Sequence, residues 1–121
     1  MKGERAMKVI NLTPHNVNVW FGEDHTMSFP RSDNPARIAV TAEPIISIPT
    51  QLGDIPVVRN VYGDIHNLPA PEDGVVYLVS IVVLTQCAGR CDVFAPDTSP
   101  DGVIRDSEGK IVAVKRFVAA D

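Results

Sequence analysis

The 121-residue sequence has few of the residues on which strong local motifs are built: two cysteines, three histidines, 6% aromatic residues, and no basic cluster longer than Lys115-Arg116. Cys87 and Cys91 form a single C-x-x-x-C without the second pair that a structural zinc site uses, so they read as reduced, partly buried thiols. Eleven Lys plus Arg against fifteen Asp plus Glu give a net charge of −4, which argues against duplex nucleic acid and anionic membranes as partners. The longest apolar runs, Val75 to Val79 and Ile81 to Leu84, fall far short of the roughly 20 residues of a membrane-spanning helix. The opening Met1 to Met7 is charged and lacks the apolar stretch of a secretory signal. No pair of acids or histidines has hydrolase spacing, and both a glycine-rich phosphate loop and Gly-x-Ser-x-Gly are missing. His15, His25 and His66 are separated by turns and share no metal-ligand spacing, so neither a metal nor a cofactor is expected. His15, beside Pro14, is expected as a turn residue whose ring caps a backbone carbonyl.

What is present suits one globular domain over residues 1–121: 45% apolar and 21% charged residues, enough to bury roughly 65–70% of the unfolded surface without a staple. Ten prolines and eight glycines are spread along the chain and cut it into pieces better suited to strands than to helices. The expected fold is α+β and β-rich, an antiparallel sheet of short strands with one or two short helices packed at a subunit interface. Lys8 to Leu12 and the alternating Asn16 to Trp20 read as two paired strands joined by a turn at Thr13-Pro14-His15, and Met27 to Phe29 returns after a second turn. Pro30 to Pro35 is loop. Arg37 to Thr41 and Ile45 to Ile48 read as separate strands divided at Glu43-Pro44, and Ile55 to Val61 follows a turn. Gly63 to Gly74 is the longest stretch without periodicity.

Gly74 to Ser80 predicts a fully buried central strand, and Ser80 to Gly89 a short helix with Ser80 as N-cap and Gly89 as C-cap. Pro96 to Gly102 is an acidic loop. The end of the chain predicts a hairpin, because Asp106 followed by Gly109 is the chemistry of a type I turn closed by a glycine bulge. Pairing across it sets Arg105 opposite Ile111 on an apolar face, with both faces of the hairpin apolar and therefore central or covered by a second subunit.

A guanidinium among apolar residues needs an anion, so Arg105 either pairs with Asp92, Asp97 or Asp101 or grips the phosphate of a ligand. Arg90 has the same two roles open, with favourable interaction at a helix C-terminus in place of the ion pair. Tyr77 is either an ordinary core aromatic or a stacking surface for a nucleobase, and Trp20 and Phe21 admit the same alternative.

In order along the chain, Ile10-Asn-Leu-Thr-Pro-His15, Gly74-Val-Val-Tyr-Leu-Val-Ser80, Arg90-Cys-Asp-Val-Phe-Ala-Pro96 and Val103-Ile-Arg-Asp-Ser-Glu-Gly-Lys-Ile-Val112 resemble a group of small phage and prophage proteins. Within that group the sequence is most similar to the Thoeris anti-defence sponges of the first type. The resemblance implies a β-rich protomer that pairs through its helix and assembles to a hexamer in the cytoplasm of the infected bacterium. It further implies sequestration, without cleavage, of glycocyclic ADP-ribose, with cyclic oligonucleotides of the CBASS system held at separate sites. Carried over by segment, Arg105 would meet phosphate and Tyr77 the base, while Arg90, Lys115 and Arg116 are assigned to the ligand by charge and position. The alternative is a small phage structural or regulatory interaction protein with no nucleotide ligand.

Overall fold

The computed structural model describes residues 6–120, and the expectation for the segment before Ala6 lies outside them. In chain order the elements are β1 (Lys8–Asn11), β2 (Val17–Gly22), β3 (His25–Phe29), β4 (Arg37–Pro49), β5 (Asp54–His66), β6 (Val75–Leu78), α1 (Ile81–Leu84), β7 (Val93–Pro96), β8 (Val103–Arg105), β9 (Ile111–Val114) and β10 (Phe117–Ala119). A 3-10 turn, Pro100–Gly102, precedes β8. The protein is strand-rich, as expected, but two of its sheets are mixed rather than antiparallel. Among the described residues, no helix is long and apolar enough to cross a membrane.

The central sheet has the order β1-β6-β7-β10, with β1, β6 and β7 mutually parallel and β10 antiparallel to β7. The run Val75-Val-Tyr-Leu78 forms its inner strand because both faces are covered, the condition under which a strand tolerates continuous apolar sequence. Alternation sends its residues into two cores. Tyr77, with Val93 and Ala95 of β7, packs against Val83, Leu84 and Cys87, whereas Leu78 faces Val17, Val19, Val103 and Val114. The second sheet, β3-β2-β9-β8, supplies that second layer, and the alternating burial of β2 is what its sequence pattern predicts.

Several boundaries differ from expectation for identifiable reasons. Strands β1 and β2 do not pair, because the turn between them carries the chain from one sheet to the other. The helix stops after four residues at Thr85 rather than reaching Gly89, in keeping with the β-branched Ile81, Val82 and Val83, although the Ser80 hydroxyl caps Val83 N–H at 3.4 Å as expected. The segment after Gly109 divides into two strands: at Lys115-Arg116 the chain leaves the second sheet for the central one, with Lys115 N–H donating to the Gly102 carbonyl at 2.7 Å. The terminal hairpin itself forms through the expected turn, with Gly109 N–H on the Asp106 carbonyl at 3.0 Å and Gly109 at φ 84°.

The largest departure is a long arm. Arg37–Pro49 and Asp54–His66 form an antiparallel ribbon of thirteen residues per strand that pairs with no other strand. Pro44 does not divide it. A bulge between Pro44 and Ile46 absorbs the missing donor, and in a two-stranded ribbon each strand has a free edge. The loop expected from Gly63 begins instead at Asn67, because Gly63 to His66 continue β5.

Candidate functional site

The parallel arrangement of β1, β6 and β7 brings their C-terminal ends to one edge of the central sheet, the place where open parallel sheets form ligand crevices. A cleft of about 380 Å³ lies there. Its walls are the turn after β1 with the start of β2 (Thr13 to Asn18), the β6–α1 junction (Val79, Ser80, Ile81) and the end of β7 (Pro96, Thr98), and strand β9 forms its floor. Val17, Val79 and Val112 give it apolar surface, while Thr13, Asn16, Asn18, Ser80 and Thr98 supply hydroxyls and amides.

Asn11 at the end of β1 shapes the first wall. Its buried Oδ1 accepts Thr13 N–H at 2.9 Å and stands 2.7 Å from the Thr13 hydroxyl, and its Nδ2 donates to the carbonyls of His15 at 2.8 Å and Phe29 at 2.9 Å. These bonds satisfy a corner that leaves one sheet for another and cannot use ladder partners. The His15 backbone carbonyl, rather than its ring, is what ties this turn.

Asp97 shapes the opposite wall, between the lining residues Pro96 and Thr98. Its Oδ1 accepts Ser99 N–H at 2.9 Å and its Oδ2 accepts Arg116 Nε at 2.6 Å. The chain approaches closely here: a Cβ on Gly102 would stand 2.8 Å from the Asp97 carbonyl oxygen and closer still to its side chain. Hydrogen bonds from Ser99 and then Arg116 hold the carboxyl at about 2, against 3.8 ordinarily. A folded-state pKa below the unfolded one favours folding wherever the carboxylate is ionised in both states. That contribution is therefore present above about pH 4 and disappears as the pH falls toward about 2. Asp97→Asn is expected to flatten the pH dependence in that window relative to the parent, as urea midpoints measured on either side of it would show.

None of the five residues singled out from the sequence lines this cleft. Arg105 does stand opposite Ile111, as expected, but their shared face is open at this end of the hairpin: Ile111 is 43% exposed, Arg105 is exposed as well, and its Nη1 donates to the Gly109 carbonyl at 2.6 Å within its own hairpin. Tyr77 is a core aromatic. Arg90 grips both oxygens of Asp92 at 2.8 and 2.9 Å and donates to the Pro69 carbonyl at 3.0 Å, so its partner is a carboxylate rather than a helix terminus. The same bonds hold the Asp92 carboxyl below the usual range. Arg90 and Tyr77 thus meet through Asp92, whose carbonyl accepts Tyr77 N–H. Lys115 is exposed, and Arg116 is occupied by Asp97; these two follow Val114 of the cleft floor and are the cations next to it in the chain. Trp20 donates to the Glu23 carbonyl at 3.0 Å, and Phe21 is exposed.

Among the described residues, no group of three or more His, Cys, Asp or Glu side chains could hold a metal ion. Both cysteines are free, Cys87 buried and Cys91 exposed, and burial pushes the Cys87 thiol up. In comparisons with known proteins, no family model, no curated protein and no solved structure matches this chain.

Proposed function

We propose that the protein binds a cyclic nucleotide immune signal of the glycocyclic ADP-ribose class and sequesters it without cleavage, with CBASS cyclic oligonucleotides as the second ligand class. The observation that carries this reading is the cleft at the ends of the three parallel strands, with its apolar floor and its rim of small hydroxyl and amide side chains. A base lies against the valines of such a floor, and ribose hydroxyls meet Asn16 and Thr98 at its rim. Arg116 and Lys115 supply charge at the floor's end, with Asp97 holding Arg116 until phosphate competes for it. The ligand class comes from the sequence resemblance, and the cleft is where we propose that it binds.

Calorimetry with glycocyclic ADP-ribose and with cyclic di- and trinucleotides tests the proposal, followed by denaturation and chromatography of the released ligand. Nanomolar binding, about 12 kcal/mol, with intact ligand recovered is the expected result. Val112→Trp fills the cleft from its half-exposed floor strand, where an aromatic side chain is well tolerated. It is expected to weaken binding about 100-fold, equal to about 2.8 kcal/mol, with little change in thermal stability. Unchanged binding would move the site elsewhere, and recovery of a linearised nucleotide would make the protein an enzyme. Absence of binding to every ligand would favour the structural reading, which the exposed apolar arm supports.

A further inference from the structure

We infer that the β4–β5 arm packs against a second copy of this chain. Beyond its base, where Ile38 and Ile65 pack against the central core, the arm is apolar on both faces and covered on neither. One face pairs Ile46 with Val57 and Ile48 with Ile55, the other pairs Val40 with Tyr62 and Pro44 with Val58, and Leu52 at the tip is fully exposed. A free two-stranded ribbon is at best marginally stable in water, and an apolar surface of this extent marks an interaction site. Thirteen residues at about 3.3 Å each span about 43 Å, and two strands about 4.8 Å apart make a ribbon about 10 Å wide, so the two faces together offer about 850 Å². Each face is at most about 430 Å², so the roughly 800 Å² that each partner contributes to a stable interface is reached when both faces are engaged.

Two features select a copy of the same chain and packing through faces. Pro44, Pro49 and Pro56 lie within the ribbon and lack N–H donors, which blocks addition of a further strand along its edges and leaves the faces to make the contact. The face carrying the isoleucines also holds the cross-strand pair Glu43 and Arg59, one charge of each sign, so two copies of it approach without net repulsion. A second copy is also the one partner present whenever the arm is made. The interface differs from the helix and terminal hairpin on which the sequence pattern centres assembly, and it stands whether or not the cleft takes a nucleotide.

Light scattering on the full chain during gel filtration tests the inference. The parent is expected to elute as a dimer or a multiple of it, and the double variant Ile48→Lys, Ile55→Lys as a monomer with unchanged far-ultraviolet circular dichroism, its self-association weakened at least about 100-fold. A monomeric parent at micromolar concentration overturns the inference, as does a folded double variant that still assembles like the parent. Hydrogen exchange on the parent gives an answer that does not depend on how the variant folds. Amides of 37–49 and 54–66 are expected to gain protection as protein concentration rises, and concentration-independent exchange there also overturns it.

Discussion

Leu78→Ala is expected to destabilise the protein by about 4 kcal/mol, within the range found for large-to-small changes in cores. The Leu78 side chain is 0% exposed, at the end of the inner strand β6 with β1 on one side and β7 on the other. It faces Val17 and Val19 of β2, Val103 of β8 and Val114 of β9, with Phe94 and Phe117 packed beside them. Those neighbours belong to strands held by ladder hydrogen bonds in two sheets, so they cannot close over the space a shortened side chain leaves, and the cavity persists. Truncation also removes the residue that joins the two layers, which makes the second sheet the first to loosen. Urea unfolding followed by circular dichroism should show the full loss, and a melting temperature lower by about 15 °C should accompany it. Val112→Ala, on the exposed floor strand, should stay within about 0.5 kcal/mol and serves as the control. A loss below about 1.5 kcal/mol for Leu78→Ala would mean that the layers are not coupled through this residue.

The features legible in the sequence are those whose signal is local. Val75 to Leu78 announces a two-sided strand by its unbroken apolar run, Val17 to Trp20 a half-buried strand by its alternation, and Asp106 with Gly109 a hairpin by its turn chemistry. What was not legible depends on partners. Thr13-Pro14-His15 has the composition of a hairpin turn, yet here it changes sheets, and only the bonds from Asn11 to His15 and Phe29 distinguish the two. Pro44 looks like a strand break because the bulge that accommodates it lies in the pairing, not in the sequence. The arginines stood out by charge, but a carboxylate two residues away claims Arg90 and one nineteen residues away claims Arg116. The cleft leaves no local signal for the opposite reason: Thr13, Asn18, Ser80 and Thr98 are small, common polar residues brought together from separate segments, and nothing in their spacing marks them.

Asn11→Ala should couple loss of stability to loss of the cleft. The Asn11 side chain is 6% exposed and its amide serves four partners: the Thr13 N–H and hydroxyl through Oδ1, and the His15 and Phe29 carbonyls through Nδ2. Alanine leaves these groups without that partner in a corner already buried, and each unsatisfied group carries a penalty of about 1–3 kcal/mol. Relaxation and entering water recover part of it, and the Thr13 hydroxyl retains the His15 carbonyl at 2.8 Å, so the expected net destabilisation is about 3 kcal/mol. Asn11→Asp keeps the acceptor but presents a carboxylate to two carbonyls, and should recover little. Thr13→Val removes only the hydroxyl and should cost about 1 kcal/mol. Because Thr13 and His15 line the cleft, a corner released by Asn11→Ala no longer presents its wall, and ligand affinity should fall with stability. Val112→Trp, by contrast, should lose affinity alone. Urea unfolding and calorimetry on the two variants side by side decide the matter: an Asn11→Ala protein that keeps its ligand affinity while losing stability would place the binding site away from this corner, and one that keeps both would show that the four bonds are replaceable by water.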